Sequence, residues 1–145
     1  MLIRVLAATV AGGLVFFLVG YILFAVLLDP ILRNYMNQFP GVMKEPMPDM
    51  VMLVLWNLVT AFLFAFIFDK WAGIRTFVGG LKGGAIIMFI LMLMTDLNYL
   101  AFTNLFKGYV GVVIDVIAGT VLGTLASGVI GLVLGLMNKD EKAAA

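Results

Sequence analysis

The stretch LMTDLNYLAF (93–102) places Asp96 and Asn98 in a run that is otherwise apolar, and VVIDVIAG (112–119) does the same with Asp115. An aspartate in mid-bilayer costs about 2.5 to 3.5 kcal/mol on insertion scales, and such residues face an interior or a cavity and have a partner. Two neighbouring carboxyls cannot both ionise cheaply, so a pair of them holds a proton or a cation. That chemistry suits a transport or ligand site, or the acid pair of an intramembrane aspartate hydrolase. A structural alternative stands beside both. Asp96 can be a neutral acid hydrogen-bonded to Asn57 or Tyr21 that fixes helix order. Asp115 can sit at the membrane interface near a helix N-terminus, because the 22 uncharged residues from Val116 to Met137 span alone.

Other chemistries are excluded by what the chain lacks. With no Cys and no His among its 145 residues, it has no thiolate nucleophile, imidazole base or disulfide, and no metal or other cofactor is expected. A net charge of +1 with scattered Lys and Arg argues against nucleic acid as a partner. The chain is 64% hydrophobic with a mean hydropathy of +1.18, which leaves too little polar surface to cover a water-soluble domain. An all-α integral membrane protein follows, with membrane lipid as its surroundings.

The elements that must position the aspartates are four apolar runs, 5–28, 50–68, 77–102 and 109–137, in one membrane domain over 1–145. Each is long enough for a bilayer, which takes roughly 20 helical residues, and each should be helical because a lipid-exposed backbone must satisfy its own hydrogen bonds. The first run is too long for a signal peptide and no small-residue cleavage site follows it, so it is expected to be retained. Arg4, Lys70, Arg75, Lys82, Lys139 and Lys142 fall on the side of the termini, against Arg33, Lys44 and Lys107 opposite. The excess of basic residues predicts cytoplasmic termini in a cell inner (plasma) membrane.

Counting from a turn near Leu105 and Phe106 puts Asp96 and Asp115 at one depth. Asn57, beside Trp56, and Tyr21 each lie seven residues inside their runs, or about 10 Å at 1.5 Å per residue. The prediction is a polar layer in the outer third of the bundle, to which every helix contributes. The outer connection, 29–49, reads as a short amphipathic helix with Asp29 as its cap and Pro30 in its first turn. Ile31, Leu32, Tyr35, Met36 and Phe39 share one face of it, Pro40 and Gly41 stop it, and Pro46 and Pro48 keep the remainder extended. It is expected to lie on the membrane surface or to fold over the mouth of the bundle.

Asp115 also begins a ladder in which Gly119, Gly123, Ser127, Gly131 and Gly135 follow at every fourth position. The third run carries Gly80 and Gly84 in line with Met88, Met92 and Asp96. Small residues at that spacing let helix backbones approach closely in lipid. The ladders therefore predict tight intramolecular packing or, through the fourth run, a homo-oligomer.

The glycine-broken first run, the proline-containing outer connection, the Trp56–Asn57 pair, the Gly79–Gly80 pair and the small-residue fourth run together resemble small bacterial four-helix membrane proteins grouped as domains of unknown function. That resemblance implies a fold and no activity. Small multidrug exporters are similar in size and span number, but the glutamate they carry in the first span has no counterpart between Val5 and Leu28. Lipoprotein signal peptidases have two catalytic aspartates on their third and fourth spans, as Asp96 and Asp115 are here, yet their flanking Asn, Gly and Arg motifs are missing. The expectation is an outer-facing polar pocket used in transport or in binding a small molecule or lipid; the alternatives are an aspartate hydrolase and a purely structural membrane partner.

Overall fold

The computed structural model describes residues 2–44 and 47–143, with side chains through residue 138. Glu45 and Pro46 lie outside the described residues, as do the side chains of Lys139 and Lys142. Among the described residues the chain is all-α apart from one isolated bridge. Four helices are long and apolar enough to cross a membrane: Leu2–Tyr35, Met50–Ala72, Phe77–Phe102 and Tyr109–Asn138.

The first of these is one continuous rod made of α1 (Leu2–Gly20), a widened π segment (Tyr21–Leu28) and α2 (Asp29–Tyr35). Asp29 is therefore not the helix cap that its position before Pro30 suggests. Its backbone is helical (φ −52°, ψ −49°), and its carboxylate accepts a hydrogen bond from Arg33 Nε at 2.8 Å instead. A proline within a helix lacks a donor and crowds the carbonyl one turn back; the π segment just before Pro30 is where the helix accommodates it. The outer helix is also shorter than expected. It ends at Tyr35, where the chain leaves to pair with the turn around Phe106, so Met36 and Phe39 lie beyond it.

α3 (Met50–Ile67) begins at Asp49, whose side chain accepts hydrogen bonds from the Val51 and Met52 amides at 3.1 and 3.2 Å. This is a regular N-cap. A π segment, Phe68–Ala72, extends α3 to Gly73, which turns the chain at φ +62°, a conformation glycine adopts without strain. Thr76 caps α4 (Phe77–Phe102) through the Gly79 amide, and α5 (Tyr109–Ala143) closes the bundle.

The two small-residue ladders interlock. A methyl group at Gly80 would meet the Ser127 carbonyl and one at Gly84 the Ser127 side chain; at Gly123 it would meet Met88, at Gly119 Met92, and at Gly131 and Gly135 the carbonyls of Thr76 and Arg75. The α5 face that the sequence offered for self-association is thus covered by α4. In contrast, α1, α3 and α5 pack mutually, while α4 packs chiefly on α5 and touches α3 little. Phe16, Phe64, Phe68, Ile130 and Leu134 fill the α1–α3–α5 core, set among Ala8, Ala61, Ala65 and Ala126. This core occupies the end holding the termini. Toward the other end the π segment Tyr21–Leu28 buries no residue, and the helices enclose a cavity instead.

Candidate functional site

The cavity measures about 820 Å³. Phe16, Phe17, Gly20, Tyr21, Phe24 and Ala25 line it from the first rod, and Met50, Leu53, Trp56 and Asn57 from α3. Met88, Met92, Thr95, Asp96 and Tyr99 come from α4, and Asp115, Gly119 and Leu122 from α5. Met47 and Pro48 of the long connection complete it. Tyr21, Trp56, Asn57, Asp96 and Asp115, drawn from four helices, therefore meet around one space. Asn98 does not join them: it is exposed and faces away from the cavity.

Asp96 is 1% exposed, although most of α4 is not buried within the bundle. It stands one turn past Met92 on the face that α4 turns to α5, and Asp115 is its neighbour across that contact. Apart from the Asp115 carboxyl, which stands within hydrogen-bonding reach and can donate when protonated, no donor among the described residues reaches either Asp96 carboxylate oxygen. The hydrogen bond expected from Asn57 is absent; Asn57 Nδ2 donates to its own helix instead, to Leu53 O at 2.8 Å. Tyr21 is 63% exposed and stands at the rim. Ser127 Oγ also lacks a partner, but it is pressed against Gly84 within the α4–α5 contact and lines no cavity.

Between α3 and α4 the wall is open. Trp56, Thr95 and Tyr99 all line the cavity yet remain exposed on the outside of the bundle. The loop end is covered by a strap. Met36 pairs with Phe106 in an antiparallel bridge, the Asn37 amide donates to Leu105 O and the Lys107 amide to Tyr35 O, both at 2.8 Å. Asn37 Nδ2 and Lys107 Nζ add bonds to Asn104 O and Asn34 O. The helical part of this connection is not a separate amphipathic helix but the continuation of the first rod, and the residues after Tyr35 pair with the α4–α5 turn.

A second polar cluster, at the end of the termini, escapes sequence reasoning. The Asp69 carboxylate, 0% exposed, accepts hydrogen bonds from Arg4 Nε at 2.8 Å and Nη2 at 3.2 Å, and from Arg75 Nη2 at 3.2 Å. Asn138 Oδ1 accepts from both arginines. One signal was available: Arg4 lies one turn before Ala8 and two before Gly12, on the stripe that α1 buries. The cluster ties together the ends of α1, α3, α4 and α5, away from the cavity.

Comparison with known proteins finds no matching family model, no matching curated protein and no matching solved structure.

Proposed function

We propose that this is a multi-pass protein of the cell inner membrane, its termini cytoplasmic, that binds a small lipid-soluble molecule in the cavity as carrier or receptor. The observation that carries this reading is Asp96: a carboxyl buried to 1% exposure on a cavity wall, whose oxygens have no donor among the described residues other than the neighbouring acid, Asp115. An aspartate kept only to fix helix order would have its hydrogen bonds inside the bundle, since an unsatisfied buried group costs about 1 to 3 kcal/mol. The volume is also within the roughly 300 to 1,000 Å³ of small-molecule sites, and the lining is apolar apart from a few convergent polar groups.

Energy transfer tests occupancy. Trp71→Phe leaves Trp56, on the cavity wall, as the only tryptophan. A neutral apolar dye such as N-phenyl-1-naphthylamine should then quench Trp56 saturably, and Thr95→Trp, which fills the mouth, should weaken binding of the dye. Quenching that rises linearly with dye and ignores the filled mouth would remove the binding-site reading. For orientation, Cys at Lys44 or Lys107 should react with an impermeant thiol reagent in intact cells and Cys at Lys70 should not; the reverse pattern inverts the protein.

The proximity of Asp96 and Asp115 favours a second reading, an aspartate hydrolase, because two carboxyls sharing a proton can act as acid and base. Hydrolysis of a membrane-embedded peptide or ester, abolished by either Asp→Asn change, is what it requires.

A further inference from the structure

We propose that the molecule held in the cavity is a lipophilic organic monocation, an ammonium or phosphonium centre on an aromatic or aliphatic body, which enters sideways between α3 and α4 and places its charge against the Asp96–Asp115 pair. This rests on the reading of the cavity as a binding site and names the chemistry of its ligand.

Charge is the first argument. Among the described residues Asp96 and Asp115 are the only formally charged side chains on the cavity wall; Tyr21 and Tyr99 are the other titratable groups, and no Lys or Arg lines it. A buried carboxylate without a donor needs a counter-charge or a proton. A proton shared with Asp115 still leaves one negative charge on the pair, and no cation among the described residues lines the wall, so a cationic ligand is the species that balances it, and an anion is repelled.

The walls decide what kind of cation. Phe24, Trp56 and Tyr99 bring aromatic rings to the wall, which attract an organic cation that has shed its water, and Met88 and Met92 bring polarisable thioethers that adapt to an irregular shape. A bare alkali ion would gain little from either and would leave most of the 820 Å³ unfilled. A neutral hydrocarbon would fill the apolar part and leave the charge of the Asp96–Asp115 pair unbalanced.

The route gives the third argument. α4 leans on α5 and leaves a gap toward α3, where Trp56, Thr95 and Tyr99 are both cavity wall and outer surface. The strap covers the loop end, and the ladder contact and the Asp69 cluster close the other. A ligand that uses the side gap must first dissolve among the apolar groups around the helices. A hydrophilic cation cannot do that, whereas one whose charge is spread over or shielded by an apolar body can.

The test uses the full chain, purified in neutral detergent, with two probes of the same shape and opposite charge: tetraphenylphosphonium and tetraphenylborate. The phosphonium should bind saturably and at least about tenfold more tightly than the borate, and Asp96→Asn and Asp115→Asn should each weaken it by about tenfold or more, as loss of one partner from a buried charge pair does. The neutral naphthylamine dye should bind wild type and Asp96→Asn alike. Equal binding of the two ions, or wild-type phosphonium affinity in Asp96→Asn, would overturn the proposal, as would stabilisation by an alkali ion without phosphonium binding. If the dye binds and the phosphonium does not, the cavity remains a site and the cation is wrong; if neither binds, both readings fall. Should Asp96→Asn fail to fold, the comparison of the two ions on the wild-type protein still decides.

Discussion

Asp96 stands beside Asp115 across the α4–α5 contact, within hydrogen-bonding reach of its carboxyl, and no other donor among the described residues reaches either of its oxygens. A side chain in that state weakens the fold, and its replacement should show it. Asp96→Leu removes the desolvated carboxyl next to a cavity with room for the new methyl groups, so the variant should be more stable by about 1 to 3 kcal/mol. Unfolding in a denaturing detergent measures the difference. A loss of similar size would mean that Asp96 holds the bundle together and that its role is structural.

Asp69 should behave in the opposite way. Its buried carboxylate sits between Arg4 and Arg75, so Asp69→Ala leaves two guanidinium groups crowded near Asn138 with this carboxylate gone from between them. Removal of one partner from a buried ion pair costs about 3 to 5 kcal/mol. The double change Arg4→Met with Asp69→Met should cost less than the sum of the single changes. Strict additivity in that cycle would show that the two side chains do not interact energetically. Lys70, 3.9 Å from Asp69 and partly exposed, should contribute little.

The contrast between the two aspartates marks how far the sequence can be read. Four apolar runs suffice for four long helices, and four-residue spacing suffices for the small-residue faces. Depth counting puts Tyr21, Asn57, Asp96 and Asp115 in one layer because rise per residue is fixed by the helix itself. Facing is another matter. Asn98 differs from Asp96 by only two positions, yet those turn it to the outside. Whether Asn57 spends its amide on Asp96 or on its own backbone is a rotamer choice with no trace in the sequence. Asp69 reads as a helix-ending acid because its partners, Arg4 and Arg75, become neighbours only after the helix ends converge. The end of α2 was misplaced for a similar reason: Pro40 and Gly41 are local stop signals, but a tertiary contact, the bridge to Phe106, ends the helix earlier.

Glycines of the ladder should differ according to what they face. At Gly80 an added methyl would strike the Ser127 carbonyl, which is backbone, so Gly80→Ala must push α4 off α5, at about 1 to 3 kcal/mol for such overpacking. At Gly128 the obstacles are the far ends of Leu81 and Phe77, which can move, and at Gly108 nothing lies within 4 Å. The expected order of damage is Gly80→Ala, then Gly128→Ala, then Gly108→Ala. Equal stability of the three variants would show that α4 and α5 are not in backbone contact.

Acid should loosen the start of α3. The Met52 amide, then Lys44 and the Val51 amide, hydrogen-bond the Asp49 carboxylate and hold its pKa below the ordinary 3.8. A lowered folded-state value means that the ionised form is the stabilising one. Its contribution is complete above the unfolded value and is lost as pH falls through the lower, folded one. Asp49→Asn keeps a cap but has no charge to lose, so wild type should exceed it in stability at neutral pH and lose that advantage in strong acid. A difference that does not change with pH would show that the cap works without its charge.

Met36 and Phe106 offer a way to ask how the cavity is entered. The bonds from the Asn37 amide to Leu105 O and from the Lys107 amide to Tyr35 O flank them, which makes them the non-hydrogen-bonded pair of an antiparallel bridge. Such residues have Cα atoms about 4.5 Å apart, inside the range a disulfide accepts, roughly 4.4 to 6.8 Å. Met36→Cys with Phe106→Cys, in a chain that has no other cysteine, should therefore cross-link on mild oxidation. The bond fixes the strap to the α4–α5 turn and leaves the gap between α3 and α4 untouched. With the side gap as the route, the naphthylamine dye should enter the oxidised and reduced forms at the same rate in stopped-flow quenching of Trp56. Slower entry after oxidation, restored by a reductant, would make the strap a gate and move the route to the loop end of the bundle.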